Sequence, residues 1–100
     1  MRVLMAQFKI KEEVLEQFEA AREKILSALS HQWPKGVRYT WCALPDGTSF
    51  IGWLELDKGV ENPLLNMEAG KEFMKNIQSW AAAPPMREEL RVIGSYPSAT

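Results

Sequence analysis

The sequence predicts an α+β fold in which a four-stranded antiparallel sheet carries two helices on one face. Three observations predict it. The stretch from Val37 to Asp57 reads as a β-hairpin bent at Asp46-Gly47, a segment of helical periodicity lies on either side of that hairpin, and a strand pattern stands near each end of the chain. The order is strand, helix, strand, strand, helix, strand. Right-handed crossovers on both helices turn that order into the ferredoxin-like, split βαβ arrangement, βαββαβ.

Arg2 to Phe8 alternates Leu4, Ala6 and Phe8 on one side with Val3, Met5 and Gln7 on the other, so the first strand is largely apolar on both faces. From Lys11 to Leu29 the period becomes helical. Val14, Phe18, Ala21, Ile25 and Leu29 make one stripe, with Leu15 and Leu26 beside it, while Glu12, Glu16, Glu19 and Glu23 point away. Pro34 cannot continue a helix and Gly36 permits a turn, so Ser30 to Gly36 is expected to be a loop carrying His31.

In the hairpin, Asp46-Gly47 at the tip sets Leu44 opposite Ser49, Ala43 opposite Phe50, Trp41 opposite Gly52, Tyr39 opposite Leu54 and Val37 opposite Leu56. Arg38 then faces Glu55, a cation against an anion. Val37, Tyr39, Trp41, Phe50, Leu54 and Leu56 share one apolar face, and a slip of one residue would turn that whole set to the wrong side.

Asn62-Pro63 is a good start for the second helix, Asn as cap and Pro in the first turn. Leu65, Ala69, Phe73, Ile77 and Trp80 form its inner side, and Asn76 shares a face with Trp80. Gly70 weakens the helix interior by about 1 kcal/mol relative to Ala, so a break is expected between Asn66 and Gly70, and Pro84-Pro85 is expected to end the helix. Glu89 to Tyr96 reads as the last strand, with Pro97 to Thr100 frayed beyond it.

A chain of 100 residues, 46% hydrophobic and 25% charged, has the balance of one folded domain over residues 1–100. Its net charge of -1, with Lys and Arg scattered among acids, supplies no basic patch for nucleic acid or an anionic membrane. Cys42 is the only cysteine, which suits a reducing compartment, so a cytoplasmic location is expected. No clustered His, Cys or carboxylate set suggests a metal site, and neither a metal nor a cofactor is expected.

Two helices cover only one face of a sheet. Val3, Met5, Cys42, Ile51, Trp53 and Ile93 fall on the other, and an apolar patch of that size marks an interface, most simply with a second copy of the chain. With Asp46-Gly47-Thr48 and the apolar strand from Ser49, this pattern resembles the dimeric α+β barrel superfamily and its antibiotic-biosynthesis monooxygenase-like proteins, over the whole chain. The resemblance implies a homodimer joined through the helix-free sheet face. It also implies a cleft in which a phenolic substrate is held as its anion and reacts with O₂ without a cofactor. Matched from Asp46-Gly47-Thr48, the Asn, Trp and His positions of those oxygenases are here Gly52, Leu56 and Cys42. The haem-degrading branch needs an iron-ligating His on the second helix, and this helix has none.

The cleft between sheet and helices is expected to be bounded by Tyr39, Trp41, Phe50 and Leu54 from the hairpin and by Phe18, Phe73 and Trp80 from the helices. Aromatic faces with little charge suit a small apolar or aromatic ligand that is at most weakly acidic. Three functions fit: a cofactor-independent oxygenase acting on a small phenolic or quinone-type substrate, a non-catalytic binder of a small molecule, and a structural dimer module. Converging polar groups would favour the first, an open apolar cleft the second and a filled core the third.

Overall fold

The structure, a computed structural model, describes residues 1–97. The chain runs β1 (Arg2–Lys9), a 3₁₀ turn (Glu12–Val14), α1 (Leu15–Gln32), β2 (Val37–Ala43), β3 (Ser49–Leu56), a second 3₁₀ turn (Pro63–Asn66), α2 (Glu68–Trp80) and β4 (Met86–Leu90). The sheet order is β2-β3-β1-β4, antiparallel throughout. Both helices cover one face, where Phe8, Phe18, Ile25, Phe50, Phe73 and Ile77 form the core. This is the ferredoxin-like α+β fold expected from the element order.

The hairpin has the expected register, with Val37 paired to Leu56, Arg38 to Glu55, Tyr39 to Leu54, Trp41 to Gly52 and Ala43 to Phe50. Its turn is wider than two residues. The Gly47 N–H donates to the Leu44 carbonyl at 3.2 Å, which centres the reversal on Pro45-Asp46 and leaves Gly47 at φ 78, a left-handed conformation that glycine adopts cheaply. The Asp46 carboxylate ties the loop together. It accepts from the Ser49 hydroxyl at 2.6 Å, from the N–H groups of Ser49 and Thr48 at 2.8 and 3.0 Å, and from Lys9 Nζ of β1 at 3.1 Å. These donors hold its pKa well below the usual carboxylate range, the Ser49 hydroxyl having the largest effect.

Three elements differ from their sequence expectations. The first helix opens as a 3₁₀ turn and continues to Gln32, so His31 lies in its last turn, exposed, and Trp33 closes it in a left-handed conformation with its N–H on the Leu29 carbonyl. The second helix is interrupted at Met67, extended at φ -96 and ψ 138, inside the expected interval. It ends at Trp80, ahead of Pro84-Pro85, because Ala81 leaves the helix to bridge Ile10 and the Ala82 N–H bonds the Lys9 carbonyl at 2.7 Å.

The last strand is Met86–Leu90 rather than Glu89 to Tyr96. The length of its partner is the reason. Val3 pairs with Leu90, so beyond that pair β1 has almost no residues left to bond, and the β-branched Val92 and Ile93 overhang it. Ile93 lies beyond β4, 90% exposed, and therefore is not part of the helix-free sheet face. Val3 does lie on that face, yet it is only 1% exposed within the chain itself. The expected frayed end falls outside the described residues from Ser98 onward.

The folded Asp46 carboxyl titrates below its unfolded value of about 3.9, so its stabilisation is complete above that value and lost as pH falls toward the lower folded one. Asp46→Asn keeps an acceptor and removes the charge. The wild type's advantage over this variant in urea midpoint is expected to be constant from about pH 7 to about pH 5 and to shrink toward about pH 2. An advantage that grows on acidification would contradict it.

Candidate functional site

One transverse row of the sheet builds the site. Trp41 pairs with Gly52, Gly52 with Ala6 and Ala6 with Arg87, so the row reads large, none, small, long across four strands. The Trp41 indole lies over Gly52, where an added Cβ would meet its ring carbons at 3.1–3.3 Å. The space over Gly52 on the β2 side is thus filled. Toward Ala6 the row's side chains are short, and a cavity of about 680 Å³ opens there.

Leu4, Ala6, Phe8, Gly52 and Leu54 form the sheet side of this cavity, Ile25 and Phe73 come from the helices, and Tyr39 closes the β2 side. The 3₁₀ turn adds Leu64 and Leu65. Asn62 starts that turn by accepting the Leu64 N–H at 2.9 Å, and Gly70 lets it approach α2, since a Cβ there would overlap the Leu64 carbonyl oxygen. Phe8, Leu54 and Phe73 are buried, while Lys71, Met74, Arg87 and Glu89 are exposed, so the mouth lies between α2 and β4.

Of the residues expected to bound a cleft, the cavity wall contains Tyr39, Leu54 and Phe73. Trp41, Phe18 and Phe50 stand behind it in an aromatic cluster. The Trp41 ring centroid is 5.6 Å from Phe18, 5.8 Å from Phe73 and 5.9 Å from Phe8, and Phe18 is 4.7 Å from Phe50, under the Arg22 guanidinium. Trp80 packs against the same core from the end of α2, and Asn76 is exposed. Ala6, Gly70 and Arg87 are not among the residues the sequence points to as bounding a cleft, Gly70 being marked only as a break in the second helix. A glycine inside a helical pattern is a signal of close backbone approach. Arg87 gave none, because the last strand was expected to begin two residues after it.

Polar groups at the cavity are Tyr39 and Asn62 on its walls and charged side chains at its mouth. Burial pushes the Tyr39 phenol well above its ordinary pKa, with the neighbouring Trp41 indole acting weakly in the opposite sense, so it remains a neutral O–H donor at neutral pH. Glu89 is bound by Arg2 at 2.9 Å, a contact that also lowers its pKa. The buried Trp41 Nε1 has no hydrogen-bond partner among the described residues. Leu56 is fully buried on the helix side of the sheet, and Cys42 is exposed on its helix-free side, away from the cavity. Among the described residues no group of three or more His, Cys, Asp or Glu is placed to hold a metal ion, and no helix is long and apolar enough to cross a membrane.

No protein-family model and no curated protein matches the sequence. Solved structures do. Rv0793 from Mycobacterium tuberculosis superposes with a TM-score of 0.78 at 11% identity, covering 95% of this chain and 97% of its own. An antibiotic biosynthesis monooxygenase gives 0.75 at 14% identity, with 94% and 100% covered. A variant of SnoaB, a cofactor-independent oxygenase from Streptomyces nogalater, gives 0.72 at 12% identity, with 97% of each chain covered. At such identities the likeness is one of fold, and the fold is that of the antibiotic-biosynthesis monooxygenase-like α+β proteins.

Gly70→Ala would raise helix propensity, yet it is expected to destabilise the protein by about 1–3 kcal/mol through the clash with the Leu64 carbonyl. Gly94→Ala, where an added Cβ meets nothing within 4 Å among the described residues, is expected to be neutral. Urea midpoints of the two variants compare them directly, and a Gly70→Ala protein at least as stable as wild type would rule out the close approach.

Proposed function

We propose that the protein is a small homodimer that takes a phenolic or quinone-type aromatic molecule into this cavity and acts on it as a cofactor-independent, monooxygenase-like enzyme. The observation that carries the reading is a 680 Å³ cavity with apolar walls and the protonated Tyr39 phenol at its β2 side. An electron-rich phenol that has lost its proton can react with O₂ directly. The cavity residues then have three tasks: to bind the ring, to keep water from it, and to donate a hydrogen bond to its oxyanion. Tyr39 is the donor for the last of these. The shared fold with a cofactor-independent oxygenase supports the same reading.

Non-catalytic binding is a second reading, favoured because the cavity is open with apolar walls and because Gly52, Leu56 and Cys42 stand where the resembled oxygenases carry Asn, Trp and His. Oxygen uptake with a panel of hydroquinones separates the two. Tyr39→Phe is expected to lower uptake about ten- to a hundredfold while changing ring affinity less than about threefold. Wild-type binding without uptake selects the second reading, and no binding rejects both.

The homodimer rests on the helix-free face, where Met5, Ile51 and Trp53 are half-buried and are flanked by Met86, 53% exposed, and Cys42. Trp53 also donates its indole N–H to Glu55 at 3.1 Å, and Glu55 faces Arg38 at 4.0 Å, which orders the polar rim of this patch. A second copy laid sheet to sheet covers it. Trp53→Asp is expected to sediment as a monomer at micromolar concentrations where the wild type is a dimer. A monomeric wild type would reject the assembly.

A further inference from the structure

We propose that the molecule taken by the cavity is an aromatic carboxylate, its anion held at the mouth by Arg87 with Lys71 beside it. This rests on the aromatic-binding reading above and adds the charge of the ligand. The sequence alone suggested at most a weakly acidic one, because it left Arg87 outside the sheet. In the structure Arg87 pairs with Ala6, and strand alternation turns it with Glu89 to the helix side, while Met86 and Glu88 go to the opposite side.

The surroundings of that guanidinium are apolar. Its central carbon lies 5.7 Å from the Phe8 ring centroid, and Nη2 reaches the Met74 sulfur at 3.8 Å. Among the described residues no carboxylate lies within ion-pair distance of Arg87 or Lys71. Of the nearby acids, Glu89 is engaged by Arg2 at 2.9 Å and Glu72 by Lys24 at 3.8 Å, while Glu88, which also borders the cavity, alternates to the opposite side of the strand from Arg87. A planar guanidinium backed by a ring and a thioether keeps its fork of N–H donors for an anion, and two parallel bonds to a carboxylate are the geometry it fits best.

The row also sets the spacing. Trp41 and Arg87 are three strand spacings apart, roughly 14 Å, with only Gly52 and Ala6 between them. With the Trp41 indole covering the β2 side of Gly52, a flat ring system of about two fused rings fits over Ala6 and the open side of Gly52, its acid group toward β4.

The test uses calorimetry on the full-length protein with a hydroxynaphthoic acid and with the naphthol that lacks its carboxyl group. Wild type is expected to bind the acid about tenfold more tightly. Arg87→Met should erase that difference and leave naphthol affinity unchanged, and Arg87→Lys should keep part of it. In wild type alone the preference should narrow as salt is raised. Equal affinities, a preference that survives Arg87→Met, or one insensitive to salt would overturn the proposal while naphthol binding left the aromatic-binding reading in place. Failure of both probes to bind would overturn the two together.

Discussion

The placement of one indole over one glycine governs the interior of this protein. Trp41 occupies the room that a side chain at Gly52 would need, and from there it meets Phe8, Phe18, Tyr39 and Phe73. That contact makes the β2 side of the interior solid. It also leaves Ala6 and the far side of Gly52 with no large side chain above them, and the cavity opens there. Solid core and open cavity are therefore two results of the same row of residues.

The second helix completes the enclosure by being broken. Were it continuous from Pro63, its first turn would follow the axis of α2. Met67 instead turns extended, Asn62 fixes the preceding 3₁₀ turn, and Gly70 accepts the Leu64 carbonyl against the helix backbone. Leu64 and Leu65 are thereby brought over the cavity, and Leu65 remains 63% exposed near its mouth. The glycine's low helix propensity is offset by a close approach that no other residue permits.

Much of this fold was legible because its signals are local. The hairpin register followed from Asp46-Gly47 and from matching sizes and charges across the pair, and the structure has the same partners. The last strand was less legible. Val92 and Ile93 have the higher strand propensity, whereas Met86 to Leu90 is rich in charge, and what decides between them is how many residues β1 has left to bond. That is a property of a partner some eighty-five residues away, and propensity does not carry it. The cavity was harder still. The aromatic residues were the visible candidates, yet most of them fill space, and the opening is defined by the smallest side chains of the row.

β4 is attached by a single ladder, to β1, and its other edge meets no strand among the described residues. Four of its five residues are exposed, so releasing it uncovers little apolar surface beyond Leu90. In the language of amide hydrogen exchange, β4 belongs to the low-free-energy openings, whereas the doubly bonded β1 exchanges only with far larger unfolding. The cavity mouth thus lies along the least protected strand of the sheet. A ligand that spanned from the interior to Arg87 would slow β4 exchange and leave the protection of β1 largely unchanged.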